Sequence, residues 1–273
     1  MNGFSIGLAV AIACAPAASG VHAGQPALGT MSQAVRIAAG ELLHRPLGGT
    51  PLSHAWTLWQ LPEGGYRVDA TFSFIYDRGE RQPQGHARHF LDEGLRLLSF
   101  EYVSLPQRGL PMAGGMCRLE PSRFSCSSGP IRGADPEIGA MVVESEHSAD
   151  IDGPHDVGGI DGWAMARWAR LHPLAVGASG QVRLLAFGRS GGEDTLIEQN
   201  ATIRRLGPEP IDVLGAGQPA EKYEIELSVE GLSRWHFWLA PDGIPLYAEI
   251  PSEGPFPPYR IELVAFERFG TGR

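Results

Sequence analysis

Positive charge is scarce in this chain and nearly all of one kind: of its 22 basic residues only Lys222 is a lysine, against 31 acidic ones, for a formal net charge of -9. The basic footprint that displaces counterions from phosphates is missing, which argues against nucleic acid and anionic membrane surfaces as partners. Long apolar runs are also missing. Past the leader no stretch approaches about 18 consecutive apolar residues, so no transmembrane segment is expected in the mature chain. There is no internal repeat and no Pro/Ser/Gly linker, so residues 24–273 are expected to form a single domain. Cysteine occurs only as Cys14, Cys117 and Cys126.

What is present begins with an export signal. An apolar run over 4–15 ends in Val21-His22-Ala23, a small-x-small cleavage pattern before Gly24. Residues 1–23 read as a secretory signal peptide, although the segment lacks Lys and Arg near its start, and they imply a periplasmic or secreted protein. A lipobox reading over 11–14 lacks the usual Leu three residues before Cys14 and leaves its lipidation open. Cleavage leaves Cys117 and Cys126, an even pair in an oxidising compartment. Pro121 and Ser122 centre a turn between them, so a symmetric hairpin pairs Leu119 with Phe124 and Cys117 with Cys126. Facing residues lie about 4.5 Å apart at Cα, within the span of about 4.4–6.8 Å that a disulfide needs.

Alternation with a period of two dominates the rest. Over 222–250 three strand patterns follow one another: Tyr223, Ile225, Leu227 and Val229, then Trp235, Phe237 and Leu239, then Ile244, Leu246, Ala248 and Ile250, with turn residues at Glu230-Gly231 and Pro241-Asp242-Gly243. That is a meander with one apolar face. Tyr66, Val68, Ala70, Phe72, Phe74 and Tyr76 share a face of an earlier strand, and Arg67, Asp69, Thr71 and Ser73 take the other. Further strands are expected over 86–91, 96–103, 181–187, 195–205 and 211–214, and near the end, where Ile261, Leu263 and Ala265 oppose Val264 and Phe266. Two helices are expected. Thr30-Met31-Ser32-Gln33 resembles a capping box, and Ala34, Val35, Ile37, Ala38, Leu42 and Leu43 recur at roughly helical spacing, which predicts a helix over 32–44 stopped by Pro46 and Gly48. The second, WAMARWARL, follows Asp161-Gly162, with Ile160, Trp163, Ala164, Trp168 and Leu171 on one stripe and Arg167 and Arg170 off it. The fold class is mainly β (α+β): a curved antiparallel sheet or incomplete β-barrel with an N-terminal helix and a mid-chain helix covering its concave face.

No constellation declares a chemistry. Asp150-x-Asp152-Gly153 resembles the start of a calcium loop but lacks the later carboxylates, and His147 and His155 are not at a zinc spacing. The acidic run reads as a solvated loop, with Asp150, Asp152 and His155 as weak metal candidates. Gly188-Arg189-Ser190-Gly191-Gly192 fits G-x-S-x-G, yet its flanks alternate as strands rather than forming a strand-to-helix elbow, and the one downstream histidine, His236, sits inside an apolar strand. His86 and His89 fall out of phase along their strand and do not face one metal. No catalytic residue and no cofactor are expected.

The order of elements, ending in Trp238-Leu239-Ala240-Pro241-Asp242-Gly243-Ile244-Pro245-Leu246, resembles the LolA/LolB-like superfamily. That group includes periplasmic lipoprotein carriers, RseB-like stress-sensing regulators, VioE-like enzymes and uncharacterised exported bacterial proteins with a late W-x-x-x-D-G-x-P-L turn. The resemblance covers about 160–269, is diffuse before residue 95, and rests on turn and core positions, so no family catalytic residue maps onto the chain. It implies an incomplete barrel whose concave face accepts an acyl chain or another apolar guest. Tyr66, Phe72, Phe74, Trp163, Trp168, Trp235 and Phe237 are the candidate lining, although a filled core is the default reading of each, since cores and apolar pockets use the same residue types. The expected function is an exported soluble carrier for a lipid, lipoprotein or other hydrophobic small molecule. An envelope protein-interaction or stress-sensing module, or a cofactor-free enzyme acting in the concave cavity, are the alternatives.

Overall fold

Period-two alternation becomes a single curled sheet in the computed structural model, which describes residues 33–46, 49–106, 112–132, 141–151, 155–157, 162–190, 193–227, 234–250 and 258–269. The first half of the chain supplies β1 (Val35–Pro46), β2 (Leu52–Gln60), β3 (Tyr66–Ile75), β4 (Arg81–Leu91), β5 (Leu97–Ser104), β6 (Ala113–Glu120), β7 (Arg123–Pro130) and β8 (Ser145–Asp150). The short β9 (His155–Val157) and the helix α1 (Gly162–Leu171) come next. Then follow β10 (Ser179–Ser190), β11 (Glu193–Pro208), β12 (Ile211–Val213), β13 (Ala216–Gln218), β14 (Glu221–Leu227), β15 (Arg234–Leu239), β16 (Pro245–Ile250) and β17 (Tyr259–Arg268). Fifteen strands form one sheet in the order β8-β7-β6-β5-β4-β3-β2-β1-β17-β16-β15-β14-β11-β10-β9, and β12 and β13 pair separately. Each neighbouring pair in the large sheet is antiparallel except β9 with β10. β8 and β9 are its edges, so among the described residues the ladder does not close into a barrel. The edges still approach one another, for Arg183 Nη1 in β10 donates to the Asp150 carbonyl at the end of β8 over 3.2 Å.

The expected helix over 32–44 is replaced by β1, which is hydrogen-bonded to β2 on one side and β17 on the other. Ala38, Gly40, Leu42 and His44 point into the curl opposite Leu58, Trp56, His54 and Leu52 of β2. Helix propensity is a weak preference, worth a few tenths of a kcal/mol per residue, and two full ladders override it. Gly40 shows why the strand fits: a Cβ there would lie 2.6 Å from the Trp56 ring. A second correction falls on β17. Glu41 pairs with Ala265 but Leu42 with Leu263, a bulge that leaves Val264 unpaired and exposed. Phe266 therefore turns inward, 6.1 Å from Trp56, and Ala265 turns out.

Inward-facing residues of both halves join one apolar cluster, including Leu58, Val68, Leu91, Phe100 and Phe124 from the first and Val182, Ile203, Ile225, Trp235 and Phe237 from the second. The disulfide hairpin is as the turn geometry requires: Leu119 faces Phe124, and Cys117 and Cys126 are bonded with their Cα atoms 4.1 Å apart. Reducing this bond should lower stability by about 2–3 kcal/mol, the loop-closure entropy of so short a loop. Urea denaturation of reduced against oxidised protein checks it, and coincident midpoints would refute it.

Candidate functional site

Of the candidate lining residues, Tyr66 and Phe72 on β3 are half-buried against the cluster, and Trp235 and Phe237 on β15 lie wholly within it, as does Trp168 on α1. Phe74 sits toward the end of β3 against Tyr76, ring centroids 6.4 Å apart. Trp163 belongs to α1, but its side chain lies outside the described residues. Phe72 lies against His54, with ring centroids 4.6 Å apart, and Phe237 stacks on Tyr223 at 5.0 Å. A void of about 10 Å³, room for roughly one water, lies between Leu42, Phe237, Leu239, Pro245, Tyr247, Ala248 and Ile261, and Phe237 alone of the candidates borders it.

The helix α1 forms where it was expected, and local contacts fix its position. Arg170 Nη1 donates to the Asp242 carbonyl over 2.6 Å, in the turn between β15 and β16, and the Asp242 carboxylate pairs with Arg268 of β17. Gly243 is required there twice, by its φ of +85° and because a Cβ would meet Arg170 Cδ at 2.9 Å. Ala166, Trp168 and Ala169 enter the apolar cluster. The Trp168 indole stacks on His172 at 4.9 Å and lies over Gly180 of β10, where an added Cβ would come within 3.3 Å of the ring.

The unexpected members of this interior are polar. Arg167, assigned by its helical position to a polar face, is only 2% exposed. His89 sits in β4 between Val68 of β3 and Phe100 of β5, its ring edge-on to Phe100 at 5.9 Å. Burial, and secondly the Arg167 charge, push its pKa down to about 3, so the imidazole is neutral under ordinary conditions. His89 Nδ1 and Trp168 Nε1 are buried without a hydrogen-bond partner among the described residues. A second buried group lies on β1, β2 and β17: His44 Nδ1 is 2.8 Å from the Tyr259 hydroxyl, and the His54 ring lies 5.9 Å from His44 and 4.6 Å from Phe72. Burial raises the Tyr259 phenol well above its ordinary value, so it stays protonated. Sequence reasoning missed all five of these polar residues. Apolar neighbours at i±2 were the available signal for His44, His54 and His89, whereas nothing local distinguishes Arg167 from a solvated arginine.

The remaining candidates are peripheral. Asp150 is exposed at the end of β8, Asp152 lies outside the described residues, and His155 is in β9 with its side chain outside them. Among the described residues no three potential ligands gather as a metal group. Ser190 pairs with Glu193 at the end of the β10–β11 hairpin, with Gly191 and Gly192 outside the described residues. His86 and His89 point to opposite faces of β4, and His236 lies on the polar face of β15 between Glu224 at 3.4 Å and Glu249 at 3.9 Å. On the polar face of β5, burial raises the Glu101 carboxyl against the opposing influence of Arg88, Arg67 and Arg118.

The class so defined is a mainly antiparallel, unclosed sheet with an aromatic interior into which one helix sends apolar and polar side chains. No described helix is long and apolar enough to cross a membrane. No family model and no curated protein matches the chain. Two of the solved structures similar to it are the following. One is the crystal structure of a β-barrel-like protein of domain of unknown function DUF1849 from Brucella abortus, with a TM-score of 0.49 and 15% identity over 86% of this chain and 98% of that one. The other is the hypothetical lipoprotein YmcC from Escherichia coli, with a TM-score of 0.34 and 9% identity over 84% of this chain and 83% of that one. Neither carries the LolA/LolB name.

Proposed function

We propose that the protein is an exported binding or carrier protein for a lipid-like guest in the cell envelope, and that α1 lies over the concave face and yields to the guest. One observation carries this reading: Trp168 and its neighbours on α1 share a single apolar cluster with both halves of a sheet whose two edges are not paired to each other. Helix and sheet can therefore part without breaking a strand-to-strand hydrogen bond, and the guest replaces apolar contacts that α1 makes in its absence. Tyr66, Phe72, Phe74, Trp163, Trp168, Trp235 and Phe237 would border the guest. The Cys117–Cys126 disulfide and the leader over 1–23 support an oxidising, exported setting.

Solvent extraction of protein purified from its native envelope, followed by mass spectrometry, should return a lipid in near-stoichiometric amount. Delipidated protein should bind 11-(dansylamino)undecanoic acid or its methyl ester saturably, with a blue shift of probe emission. A lipid-free native protein that binds neither probe would overturn the carrier reading.

A further inference from the structure

Past the leader the chain has one asparagine, Asn200, and it begins the triplet Asn200-Ala201-Thr202. We infer that Asn200 is the acceptor of an N-linked glycan, transferred during or after export from a polyprenyl diphosphate-linked oligosaccharide. The inference rests on the exported setting and is independent of what the interior binds.

Asn-x-Ser/Thr with x other than Pro is the acceptor triplet for N-glycosylation, and in an exported chain it calls for a surface position. The fold supplies that position. Ala201 and Ile203 of β11 are buried in the apolar cluster, so Asn200 and Thr202 stand on the outer face of the strand, and Asn200 is exposed. Asparagine is depleted in strands, so backbone preference does not account for its place in β11. Arg183, its partner on β10, is engaged elsewhere: its Nη2 donates to the Glu198 carboxylate over 2.7 Å. Among the described residues the Asn200 amide makes no hydrogen bond. On the other side of β11, β14 ends at Leu227 opposite Ala201, so Asn200 has a described ladder partner on β10 alone. Thr202 Oγ1 accepts from Gln181 Nε2 over 2.9 Å, which leaves the hydroxyl its own proton to donate to a transferase. A glycan at this place projects into solvent and displaces no core residue. In the transfer, Asn200 Nδ2 bonds to the anomeric carbon of the glycan as the bond from that carbon to the diphosphate oxygen breaks. Polyprenyl diphosphate leaves, and one amide proton passes to a base of the transferase.

Protein purified from its native envelope, digested with trypsin and sequenced by electron-transfer fragmentation, tests this directly, because that fragmentation leaves sugars on the residues that carry them. The peptide spanning 190–204 should be heavier by whole sugar residues, all of them on Asn200. Asn200→Gln and Thr202→Val should each abolish the added mass, while Thr202→Ser, which keeps the hydroxyl, should retain it. Both positions are on the outer face, so binding of the dansyl probe should be the same in these variants as in the wild type, and the carrier reading stands or falls separately. An unmodified Asn200 in wild-type envelope protein, or sugar found only on Ser190, Thr195 or Thr202, overturns the inference.

Discussion

Replacing Trp168 by alanine should cost about 3–5 kcal/mol of stability, because the indole is only 2% exposed, stacks on His172 and fills the space above Gly180. From the sequence alone, two indoles on one narrow stripe suggest a pocket wall already bordering empty space, where truncation costs less. The packing around Trp168 reverses that expectation for the guest-free protein. If α1 gives way to a guest, however, the same truncation empties volume that the guest can fill. Saturating dansylundecanoic acid at about 100 times its Kd should then restore about 2.7 kcal/mol. Urea denaturation of Trp168→Ala with and without probe measures both effects. A loss below about 1 kcal/mol would show that Trp168 is not a packed residue.

The second large effect is a loss of stability in mild acid that His89 causes. Its pKa falls from an ordinary 6.5 to about 3 in the folded protein, so between these values the unfolded chain binds a proton that the folded chain refuses. Stability is fully present above pH 6.5 and declines as pH falls through the window from 6.5 to 3. From pH 7 to pH 5 the loss amounts to about 2 kcal/mol. His89→Leu should remove that slope, leaving the contributions of the other groups. Parallel pH profiles for wild type and His89→Leu would show that the imidazole is not held neutral by the fold.

Much of the fold is legible because local rules and tertiary pairing agree. The Pro121-Ser122 turn alone dictates that Cys117 faces Cys126, and alternation over 222–250 anticipates β14, β15 and β16. Where they conflict, tertiary pairing prevails. Ala38, Leu42 and Leu43 fit a helix at roughly 3.6 residues per turn, but their segment sits between β2, the next strand in sequence, and the remote β17, and pairing with both makes it a strand. The bulge at Val264 is likewise invisible locally, since it arises from the register with β1 and inverts the faces of Ala265 and Phe266. The candidate aromatics were legible as apolar, but cores and apolar pockets use the same residue types, so alternation does not separate the two. Arg167 was illegible: helical periodicity assigns it to the polar side of α1, and its burial depends on what surrounds the helix on more than one side.

The strand order divides this molecule into two ribbons, β1 to β8 and β9 to β17, each continuous in sequence and sewn to the other along the single seam between β1 and β17. Within each ribbon most strands find partners a few residues away, but the seam joins positions as distant as His44 and Tyr259, 215 residues apart. Closing a loop of that length carries the largest entropy cost of any pairing in the sheet, so the seam is expected to form last. Until it does, β1 and β17 are both bare edges with one apolar side, and pairing between different molecules competes there with completion of the fold.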